Sequence, residues 1–160
     1  MIIFINGSIN SGKSTVAKLV ADSLGNTALL EIDSLREFIS WLPIKQAIPL
    51  NLINAVSVIN NFLKNKIDVI VPYPLSQANY DFFLQELKDY QSSIFAFTLS
   101  PKLEVALSNR GTRNLDEAEK ERIKYHYSIG IPKPDFGIIL DNSLETPEVT
   151  AAKILKIINP

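Results

Sequence analysis

Near the start of the chain, Gly7, Ser8, Ile9, Asn10, Ser11, Gly12, Lys13 and Ser14 satisfy the pattern G-x-x-x-x-G-K-S/T. An apolar stretch, residues 1–5, comes directly before them, and an amphipathic stretch, residues 15–24, directly after. That is the strand–loop–helix context in which the pattern does chemistry. The two glycines let the backbone bend until successive N–H groups point at one anion. The following helix aims the positive end of its dipole at the same point. Lys13 is a point charge for the β- and γ-phosphates, and the Ser14 hydroxyl is a hard oxygen ligand for Mg²⁺. With Thr15 in the first helical turn, these residues form the expected site for ATP and Mg²⁺.

A second set stands after the next strand, where Glu31 and Asp33 are two apart and Arg36 follows about one helical turn later. A carboxylate at a strand's carboxyl end can accept a proton from an attacking hydroxyl, and an arginine can hold an anionic or polar acceptor. The plainer reading makes Asp33 a helix N-cap and Arg36 a solvated surface residue. Glu31 either assists the metal or faces water. A third set is Arg110-Gly111-Thr112-Arg113-Asn114. Two arginines on a glycine loop suit a lid that neutralises a transferred phosphoryl group and excludes water. The alternative is a basic turn capping the preceding helix. Arg122 sits on a helix rich in Glu and Lys, either as a surface ion-pair partner or on a face turned to the site. The only histidine, His126 in Tyr125-His126-Tyr127, reads as a packing or surface residue.

The elements that must position these groups alternate. Expected strands are residues 1–6, 27–32, 67–71, 93–99 and 136–140. Expected helices are residues 13–24, 34–41, 51–64, 79–90, 101–108, 116–128 and 146–158. Gly25 closes the first helix, Ser34 and Glu37 have capping-box spacing, Pro43 stops the short helix, and Pro147 lies in the first turn of the last. Strands interleaved with helices predict right-handed crossovers and a three-layer α/β sandwich on a five-stranded parallel sheet. Ligands of such sheets bind outside the strands' carboxyl ends. The 160 residues predict one domain, with a lid at about 109–116.

Composition narrows the partners. A net charge of -1 argues against a protein whose main partner is a nucleic-acid backbone. The absence of cysteine excludes disulfides, thiolate metal sites and a cysteine nucleophile. No apolar run is long enough to span a bilayer, and the first apolar residues serve as a strand rather than a leader, so the expected location is cytoplasmic.

The chain resembles the small P-loop kinases that phosphorylate small-molecule hydroxyls, a group including shikimate kinases, gluconate kinases, chloramphenicol phosphotransferases and adenylate-kinase-like enzymes. The resemblance spans nearly the whole length. It rests on G-S-I-N-S-G-K-S at the start, I-D-S-L-R after strand two, R-G-T-R in the lid position and D-F-G-I-I-L-D-N-S-L-E-T-P-E-V near the end. It implies a nucleotide-kinase-type fold and ATP with Mg²⁺. Lys13 and Ser14 are implied on the phosphates and metal, Asp33 as base or orienter of the acceptor, and Arg110 and Arg113 closing over ATP. The loop at Asp141, Asn142 and Ser143 is implied near adenine.

Strand three ends Val71-Pro72-Tyr73-Pro74 with no acid, although many P-loop proteins place a magnesium-orienting acid there. The glycine triplet of shikimate kinases is also missing, which points away from shikimate. Residues 41–50 carry no evident basic clamp for a second nucleotide, so the expected acceptor is a neutral or weakly polar alcohol. Trp41, Tyr73 and Leu75 either line that pocket or pack in the core. Asn65-Lys66-Ile67-Asp68 has the N-K-x-D form of guanine readers but precedes its strand, and Asp135-Phe136-Gly137 lacks the rest of a protein-kinase domain. Three functions follow from these readings: a small-molecule kinase, a nucleic-acid end kinase, and a non-catalytic nucleotide-binding module.

Overall fold

The computed structural model describes residues 1–109 and 114–159. The first strand, β1 (Ile2–Gly7), is buried along its whole length. Its side chains alternate between two layers. Ile3 and Ile5 pack with Val16, Ala17 and Val20 of α1 (Lys13–Leu24) and Ala151, Ile154 and Ile158 of α6 (Pro147–Ile158). Ile2 and Phe4 pack with Leu52, Ala55 and Ile59 of α2 (Ile44–Lys64) and Phe83 of α3 (Gln77–Glu86). A strand covered on both faces must read as continuously apolar, and β1 does. The remaining strands are β2 (Thr27–Leu29), β3 (Asp68–Pro72), β4 (Ile94–Leu99) and β5 (Ile138–Leu140). All pairings are parallel, in the order β2-β3-β1-β4-β5. The expected α/β sandwich with helices on both faces of a five-stranded parallel sheet is therefore the observed fold. Two further helices, α4 (Leu103–Ala106) and α5 (Glu117–Ser128), lie between β4 and β5 in the chain.

Several boundaries differ from the sequence expectation. The second strand ends at Leu29 rather than at residue 32. Leu30 still donates from its N–H to Ile70 O at 2.8 Å, but Ile32–Ile39 turns into a 3-10 helix. No side chain caps that segment, so the Ser34–Glu37 capping box does not form, and the N-cap position is Glu31 rather than Asp33. The next helix starts at Ile44, well before residue 51. Pro43 occupies its N-cap, where its carbonyl accepts from the N–H groups of Gln46 and Ala47. Pro49 lies inside. Two prolines read locally as breakers, but burial of Ala47 and Leu52 on either side of Pro49 holds the helix through it. Residues 79–90 divide into α3, capped by Ser76 Oγ on Asn79 N, and a 3-10 turn at Lys88–Ser93. The helix expected over 101–108 shrinks to Leu103–Ala106. The expected Asp116 start is met by a complete capping box with Glu119.

Two glycines are required by geometry. Gly7 has φ +143°, and a β-carbon there would lie 2.5 Å from Ser11 Oγ and 2.6 Å from Leu99 O. Gly137, at φ +68° before β5, would bring a β-carbon into collision with Ala96 O.

Candidate active site

The loop between β1 and α1 is fixed by polar side chains from distant parts of the chain. Asn10, at φ +62°, donates from Nδ2 to Ala106 O at 2.8 Å and Ser108 O at 2.9 Å. The αL region is one that asparagine enters more readily than most residues. Asn142 donates from Nδ2 to Ser11 O at 2.9 Å. Under the loop, Asn6 donates to Thr98 Oγ1 and Ile131 O and accepts from Leu75 N at 2.8 Å. Gly12, at φ +94°, starts α1 with no side-chain cap, leaving the first-turn N–H groups directed out of the helix end. Lys13 Nζ donates to Ser8 O at 2.7 Å. The loop is thus held in an anion-ready shape by its neighbours.

A cavity of about 900 Å³ opens over this loop. Its wall includes Ile9, Asn10, Gly12, Lys13, Ser14 and Thr15 from the loop and α1, and Asn142 from the segment after β5. Glu31, Asp33 and Arg36 line the same cavity, as do Ile44, Ile48 and Asn51 of α2 and Tyr73 after β3. The nucleotide-side and acceptor-side candidates therefore share one space. Gly7, Ser8 and Ser11 are buried behind the loop rather than lining it. Trp41 is 79% exposed and is not brought into the cavity, because the chain turns outward between the 3-10 segment and α2. Arg110 and Arg113, with the rest of residues 110–113 of the lid expected at 109–116, fall outside the described residues.

Three residues join the site that the sequence left aside. Arg122 lines the cavity, and among the described residues it forms no ion pair, whereas Lys120 and Lys124 pair with Glu117 and Glu121 one turn back. His126 also lines the cavity, four residues further along the same helical face. Asn51 is 5% exposed and, among the described residues, its Oδ1 has no hydrogen-bond partner. The signal for Arg122 and His126 was their i, i+4 spacing. Asn51 announced itself only as a polar residue on an apolar helix face.

The electrostatics tie these groups together. Burial pushes the Tyr73 phenol up to about 12, with the negative charge of Asp33 adding to the rise and the positive charge of Arg122 opposing it. Burial first, then the positive charges of Lys13 and Arg122, push the His126 imidazole down to about 4. At neutral pH the site presents a neutral phenol, a neutral imidazole and the ions around them.

The donors suit a hard cation shared with phosphate. Among the described residues, no three acidic, histidine or cysteine side chains converge as a protein-only metal cage. Magnesium in phosphoryl-transfer sites takes one or two carboxylates beside phosphate oxygens and water, and a P-loop hydroxyl adds to them. The Ser14 hydroxyl and the carboxylates of Glu31 and Asp33, all on the cavity wall, fit that pattern. Pro72 and Tyr73 stand at the end of β3, where an acid was the common expectation.

Among the described residues no helix is long and apolar enough to cross a membrane. No protein-family model matches this chain, and no curated protein matches it in sequence. Solved structures do match. A sugar kinase from Janibacter sp. HTCC2649 is 20% identical with a TM-score of 0.75, covering 99% of this chain and 94% of that one. The APS kinase of Mycobacterium tuberculosis, solved with AMPPNP and APS, is 20% identical with a TM-score of 0.69 over 99% and 97% of the two chains. A shikimate kinase from Acinetobacter baumannii, solved with shikimate, is 20% identical with a TM-score of 0.65 over 99% and 92%. At these identities the likeness establishes the fold alone, which this chain shares with all three.

Proposed function

We propose that this chain is an ATP- and Mg²⁺-dependent phosphotransferase that moves the γ-phosphate of ATP to a hydroxyl of a small molecule. In this reading it is a single kinase domain over residues 1–160 with a lid at about 109–116, working in the cytoplasm. The observation that carries the reading is the shared cavity. The phosphate loop with Lys13 and the carboxylate of Asp33 with Arg36 line one space of about 900 Å³, within the usual size of ligand sites. The fold likeness to three proteins described as kinases of small molecules supports it.

The roles follow from position. Lys13 exchanges its bond to Ser8 O for the β- and γ-phosphates, and the loop N–H groups and Asn10 hold the chain of phosphates. Asn142 borders the nucleotide. Asp33 orients the acceptor hydroxyl and takes its proton during in-line attack. Arg36 and Tyr73 hold the acceptor body against Ile44 and Ile48. This wall suits a weakly polar alcohol with an apolar portion. The resemblance in sequence, rather than position, assigns Arg110 and Arg113 to neutralise charge on the transferred group. Ser14 would hold a magnesium ion, whose charge would offset that of the phosphates.

Acceptor-dependent turnover is the test. The protein is incubated with Mg·ATP and a panel of alcohols, sugars, nucleosides, aminoglycosides and phenicols, and ADP release and new phosphate-ester signals in ³¹P NMR are measured. Acceptor-dependent ester formation supports the proposal. Tight nucleotide binding with no ester from any acceptor would favour a nucleotide-binding module, the reading to which the missing acid at the end of β3 lends weight. Lys13→Ala should abolish calorimetric ATP binding in a folded protein, and unchanged affinity there removes the loop from the nucleotide site.

A further inference from the structure

His126 is the chain's single histidine, and its surroundings are not those of a packing residue. It is 6% exposed and faces the cavity that holds Lys13. Its Nδ1 lies 3.3 Å from the hydroxyl of Ser8, a residue buried in the phosphate loop. Ser8 also accepts Lys13 Nζ on its carbonyl. One loop residue therefore ties together the two side chains that reach the loop from α1 and α5. Among the described residues the ring makes no other hydrogen bond. A buried imidazole left half-satisfied costs more than an apolar residue of the same size, so packing alone would favour leucine here.

The charges point the same way. Arg122 and Lys13 are the cations that act on the ring, and both favour its neutral form. Glu31, Asp33, Arg36, Glu145 and the phenol of Tyr73 border the same cavity from other elements. An anion with several charges seated in the loop inverts the local field at the imidazole and offers its second nitrogen an acceptor. We propose that His126 is a polyphosphate ligand, contributed by α5 to the anion that Lys13 holds from α1. This rests on the loop being a nucleoside-triphosphate site. The consequence is proton-coupled binding: a neutral ring in the empty loop becomes an imidazolium on the bound phosphates, taking its proton from solution. Binding therefore strengthens as the pH falls towards the ring's own range, and α5 senses whether the loop is filled.

A single histidine makes the experiment direct, because one imidazole resonance is seen by NMR. Its titration is followed in the free protein and in the protein saturated with Mg²⁺ and a non-hydrolysable ATP analogue, and separately with Mg²⁺ and inorganic tripolyphosphate. Calorimetry of the analogue in two buffers of different protonation enthalpy counts protons taken up. The free protein should titrate at about 4. The complex should titrate at least one unit higher, with net proton uptake greatest at a pH between the free and bound values. His126→Gln keeps an amide to meet Ser8 but cannot become cationic. It should bind the analogue roughly 10-fold more weakly, the worth of one hydrogen bond to a charged group, with proton uptake abolished. An unmoved titration in a saturated complex, or His126→Gln binding with wild-type affinity and the same proton count, overturns the proposal and leaves the nucleotide site intact. If the wild-type protein takes up neither the analogue nor tripolyphosphate, the reading of the loop itself fails and the role of His126 falls with it. The wild-type titration decides the matter even if the variant does not fold.

Discussion

Replacing Asn51 by leucine should make the ligand-free protein more stable while removing a polar group from the acceptor wall. Asn51 lies in the interior of α2, flanked one turn away on either side by the fully buried Ala47 and Ala55. It is 5% exposed, and its Oδ1 lacks a hydrogen bond among the described residues. A buried acceptor left unmade costs about 1–3 kcal/mol, and leucine is also the better helix former by a few tenths of a kcal/mol. Leucine has the same branched skeleton, and the cavity beside the residue gives its extra hydrogens room, so overpacking adds little. The expected gain is about 1–3 kcal/mol, or roughly 3 °C in Tm per kcal/mol for a chain of this size. Urea denaturation measures it, with an unchanged m-value showing that the same surface unfolds. Stability bought by losing a polar contact is the mark of a site kept for function, so acceptor phosphorylation should fall as stability rises. A leucine variant less stable than wild type at equal m would show that the amide is satisfied in solution and would refute the reasoning from an unmade acceptor.

Asp33→Asn should leave the fold and ATP affinity in place and lower acceptor phosphorylation by roughly 10²–10⁴, the scale of a lost general base; wild-type turnover in that variant would transfer the role to Glu31. His126 gives a pH signature in the free protein. Its folded-state value of about 4 lies below the unfolded 6.5, so the unfolded chain binds the extra proton in that window. Stability is full above pH 6.5 and declines as pH falls towards 4, by about 2 kcal/mol once the solvent on the cavity side is allowed for. Comparing wild type with His126→Gln by denaturation at several pH values isolates this slope from the carboxylates, and parallel slopes would contradict it. Gly137→Ala should cost about 2–4 kcal/mol through left-handed strain and collision with Ala96 O; a thermal melt within 1–2 °C of wild type would show that β5 can shift away from β4.

The phosphate loop and the alternation of strands and helices were legible in the chain itself because both are local. The G-x-x-x-x-G-K-S spacing specifies a turn over a few bonds, and the unbroken apolar run of β1 could belong only to a strand covered on both faces. The acidic and basic residues after β2 were legible as a set for the same reason. Boundaries were less so. Pro43 and Pro49 carry the local signature of a broken helix, yet α2 runs from Ile44 because its buried face packs on the sheet, and no window of sequence contains that sheet. Periodicity names a face of a helix but not what the face meets. Trp41, expected in the pocket or the core, lies in the open on this account, while Asn51, for which the sequence carried no expectation, stands in the wall of the cavity. His126 meets the loop, and Arg122 lines the cavity beside it, because tertiary packing brings α5 there and sets His126 within hydrogen-bonding distance of Ser8, 118 positions away. The chemistry of the loop was written in adjacent residues, while the company it keeps depends on long-range packing that only the folded chain settles.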